Sequence, residues 1–230
     1  MKAQLFQIIL GVHVLAGFIS LLTGTLILFA KKGKGFHQIA GKFYFWGMAG
    51  VFGTTLAMLA IYPQKQSLWF FGIVAIVSFY QTFTGRRAIS QRTDLLANQN
   101  IDWTALLILV LASCFAFFAC LVKAGSGEVF FSVMFSFFAI LGFSTAYQDF
   151  LVFSGRKTKV HWFFHHVSRM MGSFAATTTA FLVNIGPRFL PENMPMGVYL
   201  VMWIFPGVLV GFLSSRWIRQ RKKQMVRQPA

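Results

Sequence analysis

Residues 5–30 read LFQIILGVHVLAGFISLLTGTLILFA, from Leu5 to Ala30, and Lys31-Lys32-Gly33-Lys34 follows at once. This run has no formal charge, and its one titratable side chain is His13. It exceeds the roughly 20 apolar residues that a helix needs to cross a hydrocarbon core. Lipid offers nothing to an unpaired backbone amide, so the run must be helical. One lysine precedes it, no small-residue cleavage site is evident, and a lysine-rich turn closes it. It therefore reads as a retained membrane helix and not as a removed signal peptide.

The same pattern recurs along the chain. Further apolar stretches occupy 39–62, 68–85, 103–123, 129–153, 162–186 and 197–216, with short connections between them. The whole chain is 57% hydrophobic and only 11% charged, a composition that excludes an ordinary soluble domain. The expected fold is all-α: a bundle of seven transmembrane helices formed by residues 1–216, followed by a basic cytoplasmic tail at 217–230. Cys114 and Cys120 face different sides of one span and are read as small apolar fillers.

The net charge of +16 raises the possibility of nucleic acid, but its distribution points elsewhere. Lys31, Lys32, Lys34 and Lys42 lie at the connection after the first span, and Arg86, Arg87 and Arg92 after the third. Arg156, Lys157 and Lys159 follow the fifth, and Arg216, Arg219, Arg221, Lys222, Lys223 and Arg227 follow the seventh. The other face has Lys2, Lys65, Lys123 and Arg188. Positive charge accumulates on the cytoplasmic side, which sets the amino terminus outside and the carboxyl terminus inside. The partner expected for the basic face is the anionic headgroup layer of a bacterial inner membrane, with no role for nucleic acid.

The densest chemistry is His161-Trp-Phe-Phe-His165-His166-Val-Ser-Arg169, at the start of the sixth span. Titratable groups are costly in hydrocarbon, so a cluster of them pairs, binds a ligand or lines a polar cavity. His161, His165 and Arg169 share one helical face, while His166 points roughly 100° away. Arg169 lies about 12 Å along the helix from His161 and needs a counter-charge. Asp149, near the end of the fifth span, is the acid at matching depth, and the two are expected to pair. His37, at the mouth of the second span, belongs to the same end. His13 stands apart, above a stripe of Gly17, Ser20 and Gly24. That stripe suits either close helix packing or a ligand such as a flat macrocycle.

Two short echoes raise the question of internal duplication. Tyr80-Gln-Thr-Phe83 is repeated as Tyr147-Gln-Asp-Phe150, and His37-Gln-Ile-Ala40 is loosely matched by His165-His-Val-Ser168.

The first helix with His13, the basic turn and His37-Gln-Ile-Ala-Gly41-Lys-Phe-Tyr44 resemble an uncharacterised bacterial family of polytopic membrane proteins. The later His165-His-Val-Ser-Arg-Met-Met-Gly-Ser173 also looks like that family. The resemblance implies membership and an inner-membrane location but no reaction. Membrane cytochromes b offer a second comparison, in which His37 with His165 or His166 would hold one haem b. Seven-helix zinc hydrolases related to alkaline ceramidases offer a third. There, His161 and His165 match a His-x-x-x-His pair, and His37 or His166 would complete the zinc set. Asp149 would be the catalytic acid or base. The pair lies on the sixth span instead of the seventh, and that family's Ser-x-x-x-His is absent. A rhodopsin is excluded, because the seventh span lacks a lysine for a Schiff base.

Three function classes follow. The first is a haem- or metal-binding membrane protein using His13, His37, His161, His165, His166 and Arg169. The second is a zinc-dependent hydrolase of a lipid amide or ester. The third is a transporter or membrane scaffold in which the histidines are structural or proton-sensitive. No phosphate-binding loop, dinucleotide fingerprint or catalytic triad pattern is present.

Overall fold

The computed structural model describes residues 1–31, 33, 35–90, 99–154, 162–191 and 194–227. Among them the chain forms seven α-helices: α1 (Lys2–Phe29), α2 (Phe36–Ile61), α3 (Gln66–Ser90), α4 (Gln99–Gly125), α5 (Val129–Phe153), α6 (Trp162–Ile185) and α7 (Met196–Arg227). A short 3-10 turn, Gly186–Phe189, carries Pro187 in its first turn and follows α6. The protein is an all-α, multi-pass membrane protein. Six helices, all but α6, are long and apolar enough to cross a bilayer. The seventh expected span is present as a helix but is more polar than the others, because His165, His166, Arg169 and a row of hydroxyl side chains interrupt its apolar character. It tolerates them by packing among α1, α3 and α7.

Observed boundaries differ most where charge was read as a stop. α3 continues beyond residue 85 to Ser90, α4 begins at Gln99, and α7 runs on through Trp217 to Arg227. Arg87 is neutralised locally, since it donates to Asp102 through Nε and Nη2, both at 2.8 Å, and Arg86 lies over the Phe45 ring at 4.3 Å. In the extension of α7, Arg221 stacks over the Trp217 ring at 5.5 Å. The hairpin between α4 and α5 is short because Gly127 adopts φ +78°, a left-handed conformation that costs glycine little.

α3 is the axis of the bundle, in contact with α2, α4, α5 and α6. One half of the interior is dry and aromatic. There Phe70 packs edge-on against Phe135, Phe138 and Trp203, with centroids 5.2–5.7 Å apart. The other half, toward the ends that carry most of the cations, is polar.

α1 and α2 pair through small residues, as lipid-embedded helices must when the hydrophobic effect gives them no drive to associate. A Cβ at Gly50 would lie 3.2 Å from that of Ala16, and one at Gly47 would meet the Ser20 hydroxyl. The duplication suggested by the two echoes lacks a common register. One echo relates α3 to α5 and the other α2 to α6, so no single shift produces both. Tyr80 is 4% exposed whereas Tyr147 is 64% exposed, so the paired tyrosines do different jobs.

Candidate functional site

Arg169, Ser173 and Thr177 stand four residues apart on α6, which places them in one stripe. All three are buried, and their partners come from three other helices. The stripe covers about 12 Å of helix.

At its lower end, Arg169 Nη2 donates to Asp149 Oδ1 at 2.5 Å and to the Thr145 carbonyl at 3.4 Å, both on α5. The Tyr80 hydroxyl on α3 donates to Asp149 Oδ2 at 2.6 Å. Both oxygens of this fully buried carboxylate are therefore engaged. His165 Nε2 stands 3.9 Å from Asp149 Oδ1, and its side chain is 20% exposed. It is the member of the group nearest to the surroundings. A carboxylate and a guanidinium at this depth are tolerated because each neutralises the other, and removal of either strands a charge.

One turn along, Ser173 Oγ shares hydrogen bonds with Thr82 of α3 at 2.5 Å and Tyr44 of α2 at 2.8 Å. The Tyr44 hydroxyl also reaches Thr177 at 3.4 Å, and Thr177 Oγ1 lies 3.3 Å from Met48 Sδ. Hydroxyls both donate and accept, so the row forms a continuous polar path that ends on a weakly accepting thioether.

Two glycines let α3 and α6 approach closely enough to make these contacts. A Cβ on Gly85 would lie 3.1 Å from that of Arg169, and a Cβ on Gly172 would collide with the Gln81 amide. Each helix thus carries a notch for a side chain of the other. The Gly85 carbonyl, on the α3 side, also sits 2.8 Å from His166 Nδ1.

The structure pairs Asp149 with Arg169 as expected, and it separates the histidines as helical spacing required. His165 turns with Arg169 toward Asp149, and His166 turns to α3. His37 opens α2 and is half-buried. His161 lies outside the described residues. Among the described residues no three His, Cys, Asp or Glu side chains gather in a way that could hold a metal ion. Among its described members the expected histidine cluster is dispersed, with His165 facing Asp149 and His166 facing the Gly85 carbonyl.

His13 is placed at the other half of the bundle, with Nδ1 2.9 Å from Thr54 Oγ1 on α2. The hydroxyl of Thr54 donates to the Gly50 carbonyl at 2.6 Å. Beneath His13 the small-residue stripe is filled by protein: Gly17 faces Val51, and a Cβ on Gly24 would strike the Phe174 and Tyr44 rings. Cys114 and Cys120 are both free thiols.

Comparison with protein-family models, curated proteins and solved structures gave no match. No family is shown. The likeness to an uncharacterised bacterial family remains a likeness of motifs, and function has to be read from the geometry.

Tyr44, Tyr80, Thr82 and Ser173 stand within the sequence motifs but were given no role there, and Thr177 was missed. Such residues are ordinary in membrane helices and carry no charge to draw notice. The signal available was the four-residue spacing of Ser173 and Thr177 from Arg169. Arg87 was counted only as a topology-setting cation after the third span, whereas it is also a bidentate partner of Asp102.

Proposed function

We propose that this protein conducts protons across the bacterial inner membrane, with its amino terminus outside and its basic face in the cytoplasm against anionic headgroups. The observation that carries this reading is the fully buried Asp149, held at once by Arg169 and Tyr80 with His165 at its side. Titratable side chains inside a membrane mark ion and proton pathways more often than they serve packing alone. Asp149 and Arg169 supply the main tie between α5 and α6, so this pair governs how the two helices are held at the polar end.

His165 is the partly exposed group through which a proton reaches Asp149. The Thr82–Ser173–Tyr44–Thr177 hydroxyls form a separate polar row one turn along α6, which ends at Met48. The haem b and zinc readings have no comparable support, because the described residues do not assemble a ligand set. Asp149 is thus assigned to proton transfer rather than to activation of a zinc-bound water.

The test is proton flux. Purified protein in liposomes containing a trapped pH-sensitive dye, with a potassium diffusion potential imposed by valinomycin, is expected to acidify or alkalinise the lumen faster than empty liposomes. Asp149→Asn, shown to elute as a single species, is expected to abolish the difference. A wild-type flux equal to that of empty liposomes, or an unchanged flux in Asp149→Asn, rejects the reading.

A further inference from the structure

At the opposite end of the bundle from Arg169, a groove of about 260 Å3 opens between α3, α4 and α5. None of its residues belongs to the Asp149 network. Its walls are aromatic, with Trp69, Phe115, Phe118 and Phe131, and Ala119 leaves space between them. Phe118 and Trp69 are 64% and 42% exposed, so the groove opens sideways through the faces that α3 and α4 turn to the bilayer.

The lining changes character along the helix axis. Lys123 and Gln66 stand at helix ends, where headgroups lie, and Phe115 sits two turns deeper on α4, about 12 Å toward the bilayer centre. The ammonium of Lys123 donates to Gln66 Oε1 at 2.8 Å and to Glu128 Oε1 at 2.5 Å. The same ammonium lies 5.8 Å from the centroid of the Phe131 ring, so it joins the polar rim to the apolar wall of the slot. A cation at the rim above an apolar slot, open to the side, matches a chain that never has to leave hydrocarbon.

We propose that this groove seats one acyl chain of a bilayer phospholipid, with a headgroup or ester oxygen on Lys123. The volume falls below the roughly 300 Å3 at which ordinary small-molecule pockets begin, which leaves room for part of a single chain. The lateral opening favours a bilayer lipid over an amphiphile arriving from water.

The experiment uses the full-length protein in liposomes doped with a phospholipid bearing a diazirine midway along one chain. After illumination, adducts are mapped by peptide mass spectrometry. Labelling of the 115–119 and 131 segments is expected to exceed, by at least fivefold, that of Leu15 and Phe18 on the exposed face of α1. Ala119→Trp, which fills the slot, and Lys123→Ala, which removes the rim cation, are each expected to cut groove labelling and leave α1 labelling unchanged. The second variant alters a rim residue, so a folding defect in the first does not blunt the test. Groove labelling no greater than on α1, or unchanged in both variants, overturns the proposal. Labelling by a diazirine fatty acid but not by the phospholipid also overturns it, in favour of a free amphiphile.

Discussion

Arg169 on α6 and Asp149 on α5 meet at 2.5 Å, although among the described residues the backbones of these two helices make no close approach. The arginine bridges the gap through one nitrogen, Nη2, which reaches both the Asp149 carboxylate and the Thr145 carbonyl. The tie between α5 and α6 at the polar end therefore runs through side chains, chiefly one ion pair. The consequences can be measured.

Asp149→Asn leaves the Arg169 guanidinium buried without its counter-charge. A loss of about 3 kcal/mol in stability is expected, at the low end for breaking a buried pair. Thermal unfolding in detergent reads it. The double replacement Asp149→Leu with Arg169→Met should recover most of that loss, since it removes both charges and keeps volume. A double variant as unstable as Asp149→Asn would mean that the pair's charge is not what matters.

Tyr80→Phe removes one charge-assisted hydrogen bond and little volume. Its cost is expected to be about 1.5 kcal/mol, smaller than that of Asp149→Asn because Arg169 keeps its partner. In the Asp149→Asn background the cost of Tyr80→Phe should shrink. Equal costs in both backgrounds would show that the two side chains are not coupled.

Gly172→Ala drives a methyl group into the Gln81 amide, and a destabilisation of about 1 kcal/mol is expected, the low end for overpacking because the amide is the far end of a flexible side chain. Gln81→Ala added to Gly172→Ala should relieve it. Absence of relief would place the strain elsewhere than at the α3–α6 notch.

His13→Ala and Thr54→Val each break the same hydrogen bond. Their coupling in a double-mutant cycle is expected near the 0.6 kcal/mol average, roughly, for hydrogen bonds between membrane helices. Zero coupling would remove the clasp between α1 and α2.

Orientation is tested by single cysteines in a background lacking Cys114 and Cys120. Ser126→Cys, in the exposed α4–α5 turn, should react with a membrane-impermeant maleimide in intact spheroplasts, and Lys31→Cys only after lysis. The reverse pattern would invert the proposed topology.

Much of the architecture was legible without coordinates, because hydropathy acts locally. A run such as Leu5–Ala30 must be helical in lipid whatever its neighbours do. The Asp149–Arg169 pair was legible for a related reason: one deep cation needs one deep acid, and few acids were available. Helix ends at Arg87 and Arg216 were not. A charge reads as a stop unless its partner is known, and the partner of Arg87 comes from a different helix.

The sequence by itself determined that this is a bundle of long helices, which ends carry the positive charge, and that Arg169 could not stand alone. Tertiary structure decided where His165 and His166 point. Three of them within six residues suggested one ligand set, but α6 rotates each residue by roughly 100° and is packed by different helices on different sides. His165 is consequently delivered to Asp149 and His166 to the Gly85 carbonyl. Which side chains meet across helices depends on the packing of α3 against α6, set by the notches at Gly85 and Gly172. That packing is a relation between distant segments, and periodicity within one segment does not encode it.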